Sequence, residues 1–547
     1  MRHQSEAAQA PSATHPLAFA GLAIVVAAGL ALRLEHAWRS MHHLVLRVVP
    51  DDSFYYFQIA RNLAHGRNVT LDGETVTNGF HPLWFALITP LFAIADRELS
   101  VHLALSLGAV LGAATVALVF EIVRRLTSNP WAALVGAGFF ALNPPIIVYA
   151  VNGLETSVML FCTALIVLGL ILMVQSDVRR DRDYVLFGAA CGLLVLARTD
   201  AALVVPIVIG YLALGERREV RWRGPILASS MVALLLAPWL IWNLAALHTI
   251  VQISGIAGGH LDRTGYYAAN GHDLGGRISH GLSVLRHGVV DDLPHQFMVP
   301  PFDGSRRFWV IVIVGVAAIV LLPVSRRRAT LGAAALVAVP FSGLILMLVI
   351  ELAVRWFVRP WYYAPYALLA AIGLGLFAHW LEGAVCDLIA RAPNLPRAAR
   401  AAPAIAMYIV LAAILFSRYG PHRDNEIVVG YGWQPNVLEA SSWLANNTAP
   451  GTRVAAYNAG IPAYFSERTV VNLDGLVNHD AYIALRNCTT RDYIREKRID
   501  LVADARGQFF LGGCGLSFVN DLTSVTRIGE PLPAFNGAEI YIMQPKP

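Results

Sequence analysis

The sequence predicts a polytopic α-helical membrane protein of about eleven transmembrane helices with a C-terminal extracytoplasmic α/β domain. Three observations carry this. Of 547 residues, 56% are hydrophobic and only 14% charged, whereas a soluble globular chain carries about 25% charged residues. Apolar segments recur as far as residue 418, and the composition then turns mixed and polar. Between those segments the basic residues fall in short clusters, nearly all arginine, with Lys only at 497 and 546. The net charge of +5 is therefore a topology signal, and no nucleic-acid partner is expected.

The apolar segments lie at 17–35, 99–123, 131–150, 155–174, 183–197, 201–214, 225–248, 306–323, 329–353, 361–382 and 403–418, two of them short. The first has no small-residue cleavage site and approaches the ~20 residues of a bilayer span, so it is read as a retained helix. If the spans alternate, five clusters share one side: Arg124/Arg125, Arg179/Arg180/Arg182, Arg217/Arg218/Arg221/Arg223, Arg326/Arg327/Arg328 and Arg391/Arg397/Arg400. The positive-inside rule makes that side cytoplasmic. The N-terminus is then inside, and residues 36–98, 249–305 and 419–547 are outside. The pair of short spans around Arg198 is the critical point, because a single helix there would invert everything downstream.

In the first outer loop, Asp51 and Asp52 precede an amphipathic stretch at 53–65. Asp52 or Ser53 is its expected N-cap, Tyr55, Ile59 and Leu63 its apolar stripe, and Gly66 its stop. Residues 81–95 are apolar but too short to cross, and Pro90 interrupts them, which suits an interfacial or re-entrant helix. In the tail, NVLEASSWLANN reads as helix, and TRVAAY, RTVVNL, DLVADA and EIYIM read as strands. Pro450-Gly451 marks a turn between them. Domains are therefore expected at 1–418, in the membrane, and at 419–547, outside it. Cys162, Cys191 and Cys386 sit in or beside spans as small inert residues. Cys488 and Cys514 both fall in the outer domain and are the expected disulfide in an oxidising compartment.

One acid suffices as a helix cap. Two adjacent acids repel, which raises one pKa and suits a general base or a cation ligand. The stretch DDSFYYFQIARNLAHGRNVTLDGETVTNGFHPLW, 51–84, resembles the first external loop of the GT-C superfamily of membrane glycosyltransferases, notably the bacterial protein mannosyltransferase and arabinofuranosyltransferase branches. The matching residues are Asp51-Asp52, Arg61-Asn62-Leu63, Gly66, Gly73-Glu74 and Asn78 to Trp84. NGLETSVML (152–160), LARTDA (196–201), VRPWYYAP (358–365) and YNAGIPAYFSERTVVNLDGLVNHDA (457–481) extend the resemblance along most of the chain.

The resemblance implies sugar transfer from a polyprenyl-phosphate donor to a hydroxyl of a glycan, lipid or protein, at the outer face of a bacterial cytoplasmic membrane. Asp51 is the expected base, with Asp52 as alternate or helper. Arg355 and Arg359, with Tyr362 and more weakly His260, are candidates for the donor phosphate, against the plainer reading of interfacial anchoring. Asn78, His81, Trp84, Glu155 and Arg198 are candidates for the acceptor pocket, and Glu155 with Arg198 has a competing reading as a structural ion pair. The acid pair suits a divalent cation by ligand type, and the sequence leaves metal use open. A lipid or polysaccharide transporter and an inactive assembly scaffold are the rival functions.

Overall fold

The structure is a computed structural model. It describes residues 16–176, 178–215, 222–261, 274–287, 324–354, 359–390, 402–403, 405–410, 413, 431–505, 522–529 and 539–546.

Helix α1 (Pro16–Ala37) enters the first loop, where α2 (Met41–Arg47), α3 (Asp51–Ala64), α4 (Pro82–Ile88) and α5 (Leu91–Ile94) follow. The bundle continues with α6 (Arg97–Thr127), α7 (Pro130–Leu142), α8 (Pro144–Ala150), α9 (Thr156–Gln175), α10 (Asp181–Ala197), α11 (Val204–Gly215) and α12 (Arg223–Leu247). Beyond it lie α13 (Ile253–Leu261), α14 (Leu274–His287), α15 (Val324–Val354) and α16 (Ala364–Ala390). Among the described residues, six helices are long and apolar enough to cross a membrane, or seven if the bent pair α7–α8 is one span. The expected spans at 183–197 and 201–214 are helices, but short ones. The span at 306–323 lies outside the described residues, as does much of 403–418.

The single span expected at 131–150 is instead two helices meeting at 62°. Asn143 precedes Pro144 and Pro145, which supply no N–H, and a residue before proline is pushed out of the helical region. Asn143 adopts extended backbone, and its side chain caps α8 by accepting from the Ile146 N–H. The two prolines should strand the carbonyls four residues back, at Phe140 and Ala141. Arg33 of α1, fully buried, donates to both, at 3.1 and 3.0 Å. An intramembrane carbonyl without a donor is costly. Arg33→Leu should therefore lose about 1–3 kcal/mol for each carbonyl abandoned, read as a lowered thermal midpoint in detergent.

The arginine clusters can be followed in space. Arg125, Arg179, Arg180 and Arg182 line one cavity of about 840 Å³ at one end of the bundle. Arg223 joins them there through a 2.5 Å ion pair with Asp181. Arg198 lies at the other end, 3.1 Å from Glu155 at the start of α9. The chain therefore reverses at Arg198 and returns along α11, so the two short segments are separate helices as the alternation required.

In the C-terminal part, α17 (Gln434–Asn447) leads into a sheet of β1 (Arg453–Ala456), β2 (Thr469–Asn472), β3 (Leu501–Ala505), β4 (Leu522–Ile528) and β5 (Ile540–Pro545), ordered β2-β1-β3-β5-β4. β2, β1 and β3 are parallel, while β5 pairs antiparallel with β3 and β4. Short helices α18 (Gly460–Phe465), α19 (His479–Arg486) and α20 (Thr490–Glu496) make the crossovers. LTSVTRI is a strand that the sequence reading missed. Its buried positions come only at its two ends, so it lacks the alternation that marks a half-buried strand. Cys488 is disulfide-bonded; Cys514 lies outside the described residues.

Candidate active site at the junction of the first loop and the C-terminal sheet

Helix α3 carries the acid pair, and its cap differs from expectation. It begins at Asp51, with Pro50 as N-cap and no side-chain cap bond, so neither Asp52 nor Ser53 caps it. Proline suits a helix entrance because its extended backbone costs no N–H there. Both acids sit in the first turn, where the helix dipole favours them. Most of α3 is buried, including Phe54, Tyr55, Tyr56, Phe57 and Ile59. It is buried because the C-terminal part packs onto it. Phe54 meets the rings of Tyr464 and Phe465 with centroids 5.6 and 5.3 Å away.

The carboxyl ends of β1 and β2 face α3, the edge at which open α/β sheets place ligands. The Tyr55 hydroxyl donates to the Tyr457 carbonyl at 3.1 Å and accepts from the Ala459 N–H and the Asn472 amide. Asp504 of β3 holds this edge by accepting from the Tyr457 and Asn458 N–H groups, both at 2.8 Å. Gln434 bridges the other way, accepting from the Asp51 N–H and donating to the carbonyls of Val45 and Val49.

The two acids consequently have different environments. Asp51 is 4% exposed, and its carboxylate oxygens accept from the Ile461 N–H at 2.7 Å and the Gly460 N–H at 3.2 Å. Burial pushes its carboxyl up to about 7, against the pull of those two N–H groups. Asp52 is half-buried, and its carboxylate has no hydrogen bond or ion pair among the described residues. Burial raises its pKa, the Arg359 guanidinium opposes the rise, and Glu155 adds to it. Asp474, just beyond β2, is a third buried carboxyl, pushed up to about 8 by burial, with Asp52 and Asp51 adding to the rise. One of its oxygens accepts from the Leu476 N–H at 2.8 Å.

Gly460 is where this junction is tightest. A Cβ there would overlap the Asp51 carbonyl oxygen, which is backbone and has nowhere to move. Gly460→Ala is expected to push α18 off α3, seen as faster proteolysis of the C-terminal part in the folded protein. Unchanged cleavage would mean that the contact does not hold the two together.

Behind α3 lies a buried polar network. The Tyr56 hydroxyl donates to Glu155 at 3.0 Å and accepts from the His81 N–H. Arg198 donates to Glu155 at 3.1 Å and, through Nε, to both oxygens of Asp200 at 3.0 and 3.1 Å. Its guanidinium lies 4.0 Å above the Tyr362 ring. His81 Nδ1 accepts from the Thr199 N–H, which leaves the proton on Nε2, 3.5 Å from Glu155. Burial lowers the His81 pKa, so this imidazole is neutral. The loop before Glu155 is pinned by Ser53, which donates to the Asn152 carbonyl, and by Trp84, which donates to the Gly153 carbonyl. Gly153 takes a positive φ of 80°, and a side chain there would strike Phe57.

The predicted site residues therefore divide. Asp51, Asp52, His81, Glu155, Arg198, Arg359 and Tyr362 come together through bonds or electrostatic coupling. Asn78 and Trp84 spend their polar atoms on the scaffold: Asn78 donates to Asn243 and Val251 and accepts from the Ile253 N–H. His260 packs edge-on against Tyr482, 5.7 Å between ring centroids. Arg355 lies outside the described residues. Gln434, Asn472, Asp474 and Asp504 were not anticipated as neighbours of the acids, although three of them stand at or just after an apolar strand, which is a readable signal. Among the described residues no group of three or more His, Cys, Asp and Glu side chains is arranged to hold a metal.

Residues 80–242 match the family described as dolichyl-phosphate-mannose-protein mannosyltransferase, and residues 425–536 match a domain of unknown function (DUF8728). No curated protein sequence matches the chain. Among solved structures, ArnT from Cupriavidus metallidurans bound to undecaprenyl phosphate is similar at 13% identity and TM-score 0.57, over 95% of this chain and 97% of that one. The oligosaccharyltransferase AglB from Archaeoglobus fulgidus, in complex with an inhibitory peptide and a dolichol-phosphate, is similar at 14% identity and TM-score 0.54, over 89% of this chain and 69% of that one. This multi-pass membrane protein therefore carries a mannosyltransferase-type family segment over residues 80–242, on a fold that it shares with these structures over most of its length.

Proposed function

We propose that this protein transfers a sugar from a polyprenyl-phosphate donor to an acceptor hydroxyl at the outer face of the cytoplasmic membrane, and that Asp52 is the general base. The observation that carries this is the contrast within the acid pair. Asp51 has both carboxylate oxygens committed to backbone N–H groups, while Asp52 is half-buried, uncommitted among the described residues and electrostatically coupled to Arg359. In the reaction the acceptor oxygen bonds to the anomeric carbon, the bond from that carbon to the phosphate oxygen breaks, and the acceptor proton passes to Asp52. The departing polyprenyl phosphate keeps the electron pair, and Arg359 neutralises its developing charge. The donor class is supported by the polyprenyl phosphates bound to the similar structures. The outer-face assignment is supported by the arginine clusters gathered at the opposite end of the bundle. Residues 1–418 then form the membrane part, and 419–547 an outer unit that closes over α3.

The test is release of free polyprenyl phosphate by the full chain in proteoliposomes, offered mannose, glucose, arabinose and aminoarabinose donors with glycan, lipid and peptide acceptors. Release with one donor supports the reading; none with any pair overturns it. The pH profile adds a second check. A base acts deprotonated, so kcat/KM should rise with pH through a limb above the ordinary carboxylate range, because burial raises the Asp52 pKa. Arg359 holds that pKa down, so Arg359→Gln should move the limb to higher pH. A limb that stays put or moves lower would sink the Asp52–Arg359 coupling.

A further inference from the structure

A second cavity, of about 510 Å³, lies between the first loop and the C-terminal sheet, lined mainly by polar residues. It is reached from another part of α3: Gln58 is six residues beyond Asp52, about 9 Å further along the helix axis at 1.5 Å per residue. Four arginines line it, Arg61, Arg67, Arg97 and Arg468, against two acids, Asp72 and Glu467.

Most of these charges are already spent. Arg468 donates to the carbonyls of Ala445, Thr448 and Glu467. Arg97 pairs with Glu467 at 3.4 Å. Asp72 accepts from the N–H groups of Glu74 and Thr75, closing its own turn. The Arg61 and Arg67 guanidinium groups have no hydrogen bond or ion pair among the described residues. Burial lowers the Arg61 pKa, with Arg97 and Arg67 adding to the fall and Tyr464 and Glu467 opposing it.

Gln58 supplies the second half of the argument. Asn62 donates its amide N–H groups to the carbonyls of Thr70 and Leu71, both at 2.9 Å, so its oxygen faces Gln58. Gln58 must then turn its NH₂ toward that oxygen, at 3.3 Å. This leaves the Gln58 oxygen buried with no donor, although the residue is only 8% exposed. A buried acceptor of this kind calls for a donor from a bound molecule. Two unspent guanidinium groups call for an anion that accepts. A bare anion answers only the second demand.

We propose that this cavity binds a sugar unit bearing a carboxylate or a phosphate, its anionic group on Arg61 and Arg67 and a ring hydroxyl donating to Gln58. The site does not depend on the transfer reaction, and its test reads binding without turnover. The full chain in nanodiscs of neutral phosphatidylcholine is titrated with glucuronate, glucose 6-phosphate, inorganic phosphate and glucose by calorimetry. At least one anionic sugar should bind about tenfold or more tightly than glucose and than phosphate. Arg67→Gln, at an exposed position where folding is not at stake, should weaken that sugar about tenfold, and Gln58→Leu should erase its advantage over phosphate. Equal binding of glucose would remove the arginine role. Equal binding of phosphate would reduce the cavity to an anion site and overturn the sugar assignment. No saturable binding, or binding unmoved by Arg67→Gln, overturns the proposal outright.

Discussion

Asp52→Asn is expected to lower the turnover of sugar transfer about 10²–10⁴-fold, the usual contribution of a general base, while leaving the thermal midpoint near that of the parent. Asp52 anchors nothing among the described residues, so its loss should cost chemistry and not structure. Asp51→Asn should do the reverse. Its carboxylate accepts from Gly460 and Ile461, and an amide would set an NH₂ against one of those N–H donors. That clash leaves a buried donor unpaired, at about 1–3 kcal/mol. The C-terminal part should loosen on α3, and any loss of turnover should follow that loosening. Measuring kcat and the thermal midpoint for both variants separates the roles. An Asp52→Asn enzyme with parental kcat, beside an Asp51→Asn enzyme that is inactive yet equally stable, would return the base to Asp51.

Arg198→Met should destabilise the protein by about 3–5 kcal/mol, the cost of breaking a buried pair by removing one partner. Arg198 is 2% exposed and joins Glu155, itself 4% exposed, to Asp200 with one guanidinium. Without it Glu155 keeps, among the described residues, only the Tyr56 hydroxyl and the neutral His81 N–H. Arg198→Lys should recover little, since an ammonium cannot fork between two carboxylates in this way. Arg198→Met with Glu155→Met should recover much of the loss, because the uncompensated charge goes with it. The readout is the thermal midpoint in detergent, beside turnover. If Arg198→Met alone leaves the midpoint unchanged, the network is not what holds α9, α10 and the first loop together.

Much of the architecture was legible because its causes are local or compositional. Apolar length marks a span, and arginine placement marks a side. The reversal at Arg198 followed from requiring five clusters to agree, and the Asp181–Arg223 and Glu155–Arg198 pairs put those residues at opposite ends. The bend at Asn143 was equally local, since two prolines in succession announce it, but a window of hydropathy averages over them.

The acid pair shows where sequence reading stops. That Asp51 and Asp52 stand at the mouth of α3, near Glu155, Arg198 and Arg359, was determined by the sequence, through motif order and topology. Which acid is committed was decided only by the tertiary structure. The partners of Asp51 are backbone N–H groups at 460 and 461, about four hundred positions away, and a main-chain donor leaves no mark in a residue code. The same holds for Gln58, whose oxygen is left without a donor only because Asn62 is turned by two distant carbonyls. Side-chain identity is written in the sequence; which hydrogen bonds remain to be made is settled when the sheet closes over the helix.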